Sequence, residues 1–334
     1  MSARLSPGCL VAWSLVLLAA SCTRSPQAPA SPRLAVGSPE ISEALRQEAR
    51  RQLVLAIGHN DPVIRTHAIE AIKESLGSAG RSEILAAFVD PEPLVRFAAA
   101  MAAGELRLEA ARPGLIRLLS DADASVQVGA TFALHRLGET RYSKGLEDAL
   151  RHPDPRVRAN AALALGRLGE KTALRVLRPV LKDRSVEVRL QVAEAMWRLG
   201  DQEGLKYLVA AGLSGHPGHQ MVGLLAMAGP RDPNVIEHVR SGLGSDYVEV
   251  ALVAGRALGM LGSDEGFNLA VTNTQSHETR QRYLAALALG AIGRADARNA
   301  LTPLLKDPDQ DVRIAASAAL LQLRAPAVAA GRND

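Results

Sequence analysis

Residues 157–169 read VRANAALALGRLG, and residues 188–200 read VRLQVAEAMWRLG. The two stretches begin 31 residues apart and share the V-R opening, a central Ala and the closing R-L-G. Stepping by 31 in both directions from Val157 lands on Ile64, Val95, Val126, Val188, His219, Val250, Gln281 and Val312, with no slip in phase. Counted from these residues as position zero, position +7 is Ala in every unit, from Ala71 and Ala102 to Ala288 and Ala319. Position +4 is Ala except at Val192 and Gly223. Positions 0, +4, +7, +8 and +11 share one face of a 3.6-residue helix, so each unit holds an amphipathic helix whose small residues admit a close neighbour.

A second amphipathic stretch precedes each such helix, for example ARPGLIRLLSD at 111–121 and ALRVLRPVLKD at 173–183. Gly138, Gly169, Gly200, Gly262 and Gly293 occupy position +12, where a helix end calls for a left-handed residue. Each unit is therefore a helical hairpin. One hairpin cannot bury its own apolar face, and stacked hairpins share a continuous core. The fold class that follows is all-α: an α-solenoid of about nine stacked helical hairpins with a 31-residue period, expected as an open arc roughly 80 Å long at about 8–10 Å per unit.

The acidic residue, the V-R pair, the Ala-rich helix and the closing L-G resemble HEAT-like repeats, specifically the short variety named after phycobilin lyases, over residues 43–324. That resemblance implies a repeat scaffold. The family spans scaffolds, adaptors and a few enzymes, so it carries little about activity.

The N-terminus reads MSARLSPGCLVAWSLVLLAASC. Arg4 supplies a short positive segment, an apolar run from Cys9 to Ala20 follows, and Ala19-Ala20-Ser21 precede Cys22. The run is shorter than the roughly 20 residues a spanning helix needs. It resembles a bacterial lipoprotein signal, which implies lipidation of Cys22 and, with Thr23 rather than Asp next, an outer membrane address facing the periplasm. An ordinary secretory signal cut near Ala20 is the other reading. The expected organisation is a signal peptide at 1–21, a lipidated Cys and Pro/Ser/Ala-rich tether at 22–39, the repeats at 40–324 with a degenerate unit near 205–233, and a disordered tail at 325–334. The tether composition favours extended, unfolded chain.

Composition narrows the function. Of 334 residues 47% are hydrophobic but only 3% aromatic, so Ala, Leu and Val must build the core. A net charge of +4 without stacking aromatics argues against a nucleic-acid partner. Cys9 and Cys22 are the only cysteines and both fall in the leader. The repeats therefore offer no thiol for nucleophilic, redox or zinc chemistry. GxSxG, HExxH, Walker and GxGxxG patterns do not occur.

Charges recur in phase. Position −3 carries Asp61, Glu92, Asp123, Asp154, Glu278 and Asp309, and position +1 carries Arg65, Arg96, Arg158, Arg189, Arg282 and Arg313. The acids suit helix capping, and the arginines suit bridges to an acid of the same or the neighbouring unit. His277-Glu278 resembles the iron-binding pairs of deoxyhypusine hydroxylases. It stands alone, however, and Glu278 falls on the capping position. His216 and His219 sit three apart, too few for a metal site. No cofactor and no metal are expected.

On the helical wheel, positions +2, +6 and +9 lie opposite the core and are expected to line the concave face. There the chain places Phe97, Met101, Phe132, His135, Leu190, Trp197, Met221, Leu225, Leu252 and Tyr283. Exposed together they would form a groove for a helix or extended peptide. Unit six, broken by Gly215, Pro217, Gly218, Gly223, Gly229 and Pro230, is the expected kink. The resulting expectation is a membrane-anchored, non-enzymatic scaffold or adaptor with a protein or peptide partner in that groove. The alternative is an enzyme or accessory factor of the phycobilin-lyase or deoxyhypusine-hydroxylase kind, on fold analogy alone.

Overall fold

The computed structural model describes residues 42–142 and 144–323. The signal peptide, Cys22, the tether and the tail lie outside the described residues.

Each unit is an outer helix followed by an inner one. Units one to three pair α1 (Glu43–Ile57) with α2 (Pro62–Leu76), α3 (Arg81–Ala86) with α4 (Pro93–Glu105), and α5 (Arg112–Leu118) with α6 (Ala124–Arg136). Units four to six pair α7 (Lys144–Ala149) with α8 (Pro155–Leu168), α9 (Leu174–Leu177) with α10 (Val186–Arg198), and α11 (Gln202–Gly212) with α12 (Pro217–Ala228). Units seven to nine pair α13 (Ile236–Arg240) with α14 (Val248–Met260), α15 (Phe267–Asn273) with α16 (Thr279–Ile292), and α17 (Arg298–Leu301) with α18 (Gln310–Gln322). No strand occurs among the described residues. The architecture is the all-α hairpin solenoid that the 31-residue period predicts.

Local chemistry sets the ends of the inner helices. Asp61, Asp123, Asp154 and Asp309 each accept a hydrogen bond from a backbone N–H of the first turn, the capping role read from position −3. Glu92 and Glu278 stand at the same place without such a bond. Pro62, Pro93, Pro155 and Pro217 start their helices, where the missing N–H has no partner to lose. At position +12, Gly138, Gly169, Gly200, Gly262 and Gly293 are left-handed, with φ between 72° and 92°. Arg107 and Arg231 hold the same position in units two and six, also with positive φ.

The array closes on itself. Outer helices pack on their own inner helix and several also on that of the preceding unit, as α11 does between α10 and α12. On the flank of α1 where another inner helix would sit, α18 takes that place: it packs along both α1 and α2. The apolar core follows the same path. Ile314 and Ala318 of α18 join the cluster that contains Leu53, Ile69 and Ile72, while Ala49 of α1 joins the cluster that contains Val312, Ala315 and Ala319. The expected open arc is therefore corrected to a ring. About 40° of rotation per unit brings nine units full circle, and the apolar flank of α1 has its partner at the far end of the chain.

Small residues let the inner helices approach one another. A Cβ on Gly166 would lie 2.7 Å from the Cα of Ala195 in the next inner helix. Unit six uses glycine in the same way rather than as a break. A Cβ on Gly223 would sit 2.6 Å from the Gly212 nitrogen, so α12 lies directly on α11.

Candidate functional site

The strip proposed as a groove is buried. Phe97, Met101, Phe132, Leu190, Trp197, Met221, Leu252 and Tyr283 are each at most 7% exposed. His135 and Leu225 are half-buried, and the His135 ring lies 3.1 Å from the Glu170 carboxylate. The cause is geometric. Positions +2 and +9 face the next inner helix, not the centre. Trp197 at +9 donates its indole N–H to the Met227 carbonyl in α12 at 2.9 Å. Phe97 at +2 packs on Gly129 in α6, and Phe132 leans back onto Gly104 in α4. These side chains weld neighbouring inner helices and are unavailable to a peptide.

The lumen instead takes mainly positions +6 and +10, with Lys73 at +9, while Met101 and Phe132 at +6 turn into the helix joints. Its first half is charged. Glu70, Lys73, Glu74, Glu105, Arg136, Arg167, Glu194 and Arg198 come from the inner helices of units one to five. Glu105 accepts from Lys73 at 2.9 Å and from Arg167, two units along, at 3.0 Å. Arg198 pairs with Glu194 at 2.9 Å. Burial pushes the Glu105 carboxyl up, but Lys73 and Arg167 together hold it below the usual carboxylate range. Glu70 has no such clasp, and burial pushes its carboxyl up to about 7 against the opposing pull of Lys73 and His67.

The second half of the lumen is largely apolar. Leu225, Arg256, Met260 and Leu287 face it and each retains part of its surface. At the closure, buried His67 of α2 meets Asp311 of α18 at 2.7 Å, and its ring stacks on Tyr283 of α16 with centroids 6.2 Å apart. Burial first, then the Asp311 charge, hold the Tyr283 hydroxyl well above the ordinary tyrosine range.

The arginines at +1 form a ladder, with a partner the sequence reading did not specify. Arg65, Arg96, Arg158 and Arg282 each grip one Asp of the following unit with two nitrogens: Asp90, Asp121, Asp183 and Asp307, all at 2.7–3.0 Å. A third nitrogen of each donates to two backbone carbonyls of its own turn, such as His152 and Pro153 for Arg158. Where unit six lacks that Asp, Arg189 donates to the Tyr207 hydroxyl at 2.8 Å. These arginines are structural. The ladder also stops at the closure, where among the described residues Arg313 bonds to the Asp307 and Pro308 carbonyls and to Gln310 rather than to an Asp.

His277 and Glu278 lie in a turn, where the His277 carbonyl accepts from Arg282. The His216 and His219 rings stack 4.4 Å apart, and burial, then His216, lower the His219 pKa. Among the described residues no three His, Cys, Asp or Glu side chains converge as metal ligands. No described helix is long and apolar enough to cross a membrane.

On the outer rim of units one to three, large apolar side chains face solvent. Val54 and Leu55 of α1 are 40% and 60% exposed, Ile116 of α5 is 45% exposed, and Val89 after α3 is 79% exposed.

Comparison with known proteins agrees with the architecture. The family model described as HEAT repeats matches residues 78–155, 143–219 and 268–330. No curated protein sequence matches. Solved structures with a similar chain path include the complex of CpcE and CpcF of phycocyanin lyase from Nostoc, 19% identical over 79% of this chain and 98% of that one, with a TM-score of 0.44. Human deoxyhypusine hydroxylase is 22% identical over 76% of this chain and 98% of its own, with a TM-score of 0.39.

Proposed function

Since the chain belongs to the HEAT repeat family and its repeats close into a ring, we propose that it is a non-enzymatic scaffold that docks a protein partner on its outer rim. The observation that carries this reading is the set Val54, Leu55, Val89 and Ile116, large apolar side chains left in solvent on three successive units. Large apolar side chains left in solvent on a repeat scaffold favour a protein partner where they cluster. The buried strip cannot serve, because opening it would separate α4 from α6 and α10 from α12. Cys22 is lipidated in the same reading, and the tether holds the ring near a bacterial outer membrane on its periplasmic side.

Replacing Leu55 and Ile116 together with Asp tests the rim. The exposed positions tolerate the change, so helix content stays constant and partner recovery from envelope extracts falls. Recovery of the same partner by the variant would refute the rim reading. Replacing Cys22 with Ser tests the anchor, with release from the membrane fraction expected and retention contradicting it.

A further inference from the structure

The outer turns of unit five carry a row of charge that no other unit repeats. Lys171–Ala173, α9 and Arg178–Lys182 follow one another as helical turns, and Ala173, Val176 and Leu177 among them are buried. The opposite side carries Lys171, Arg175, Arg178 and Lys182, all exposed. Steps of four, three and four residues place them in one line along the helix, roughly 16–20 Å long. At the same four phases unit three has Glu109, Pro113, Ile116 and Ser120, and unit eight has Asp264, Asn268, Val271 and Gln275.

Internal ion pairs do not use the row up. Lys171 and Lys182 make no hydrogen bond or ion pair with a described residue. Arg175 stands 3.4 Å from Glu147, and Arg178 meets Asp201 at 2.6 Å, yet both keep most of their side chains in solvent. The acids at either end are turned elsewhere: Glu170 lies against His135, and Asp183 is gripped by Arg158.

The basic field is strongest on unit five and fades to both sides. At the phase of Arg175, units four and six add exposed Lys144 and Lys206, while units three and seven have Pro113 and Glu237. At the phase of Lys182, unit four adds Arg151 and unit six presents Leu213, 69% exposed. The outer helices form the convex side of the ring, and each unit is rotated from the last. A flat surface laid on unit five therefore meets its row in full, and only the long side chains of the flanking units reach it. The field has the footprint of that contact. Flexible point charges such as Lys suit mobile phosphates, and an exposed Leu at the edge suits the boundary between headgroups and acyl chains.

We infer that the outer face of units four to six docks the ring on an anionic phospholipid bilayer, with headgroup phosphates over Lys171, Arg175, Arg178 and Lys182 and with Leu213 entering the headgroup layer. This surface is separate from the rim of units one to three and does not require a lipid on Cys22.

Vesicle co-sedimentation tests it, using the chain without its leader (residues 22–334), which keeps every described residue and carries Cys22→Ser so that no lipid contributes. Binding is expected to vesicles of equal parts phosphatidylglycerol and phosphatidylcholine, weakening as salt rises, and not to phosphatidylcholine alone. Lys171→Ala, Lys182→Ala and Lys206→Ala together should weaken it roughly 100-fold, about fivefold per cation. The three lysines are exposed and without partners, so the melting temperature stays constant. Arg50→Ala, Arg81→Ala and Arg117→Ala together remove the same charge from units one to three, and should change affinity by less than about twofold. Equal binding to both kinds of vesicle, or an equal loss in the two triple variants, would overturn the proposal. Poly-glutamate or duplex DNA bound as tightly as the anionic vesicles would overturn the bilayer as the occupant. Unchanged affinity in Leu213→Ser would overturn the role given to that side chain.

Discussion

Two arginines sit where the repeat uses glycine, and replacing them should stabilise the ring. Arg107 and Arg231 occupy position +12 with φ of 50° and 60°, the place held by Gly138, Gly169, Gly200, Gly262 and Gly293 in other units. Both side chains are exposed and neither makes a hydrogen bond or ion pair with a described residue, so substitution removes only the backbone strain. A left-handed L-residue costs about 1–2 kcal/mol, and the extra freedom of glycine in the unfolded chain returns about half of that. Each of Arg107→Gly and Arg231→Gly should therefore add about 0.5–1 kcal/mol, and the pair about 1–2 kcal/mol. At the usual scaling for a chain of this size, that is a rise in melting temperature of about 2–6 °C. Urea unfolding followed by helical circular dichroism reads the free energy, with Gly169→Ala as the mirror experiment, expected to lose about 1 kcal/mol. Loss of stability in Arg107→Gly, or no loss in Gly169→Ala, would refute the left-handed turn at this position.

Four further outcomes follow from the packing and the charges. Arg158→Ala removes a two-nitrogen grip on Asp183 and two carbonyl bonds, and should cost about 2–3 kcal/mol in urea unfolding, against under about 1 kcal/mol for Arg156→Ala on the same helix. Asp311→Ala takes a bonded partner from buried His67 at the closure and should cost about 1–3 kcal/mol, measured the same way. Trp197→Asp places a carboxylate in the joint between α10 and α12, and should abolish cooperative melting rather than merely weaken partner binding. Glu70, faced by Lys73, His67, Glu74 and Glu105, has its carboxyl raised from 4.5 to about 7 in the folded chain. The folded state then binds more protons than the unfolded one between these values, so stability falls as pH rises from about 4.5 to 7 and is level above, by roughly 1–3 kcal/mol. Glu70→Gln should flatten that slope in urea unfolding across the same pH range; an unchanged slope would assign it to other groups.

Much of the fold is legible because its causes are local and repeated. The caps at Asp61, Asp123, Asp154 and Asp309 and the left-handed glycines each depend on one turn of chain, and every unit repeats the test. The face of the inner helices was read wrongly for a definable reason. A helical wheel with one core places Trp197 opposite the outer layer, in solvent, but an inner helix of a ring has a neighbour on each side as well. Two signals pointed to the true geometry: glycine at +9 in Gly104, Gly166, Gly259 and Gly290 marks the close approach of the next helix, and Glu74, Glu105, Arg136, Arg167 and Arg198 at +10 mark a polar interior. The ladder acceptors Asp90, Asp121, Asp183 and Asp307 were equally in phase. Closure itself was not legible. It depends on a small rotation summed over nine units, and no local pattern joins His67 to Asp311 or Ala49 to α18.

Ring closure is tested most directly by a distance between the two ends of the repeat array. Glu48 of α1 lies close enough to Lys306, just before α18, to feel its charge. Spin labels on Glu48→Cys and Lys306→Cys, in a chain whose Cys9 and Cys22 are replaced by Ser, report that span by pulsed dipolar spectroscopy. A closed ring gives a single narrow distance of about 20 Å or less, the spacing of adjacent hairpins plus the label arms. A distribution centred beyond about 50 Å, as an arc of nine stacked hairpins would give, contradicts closure.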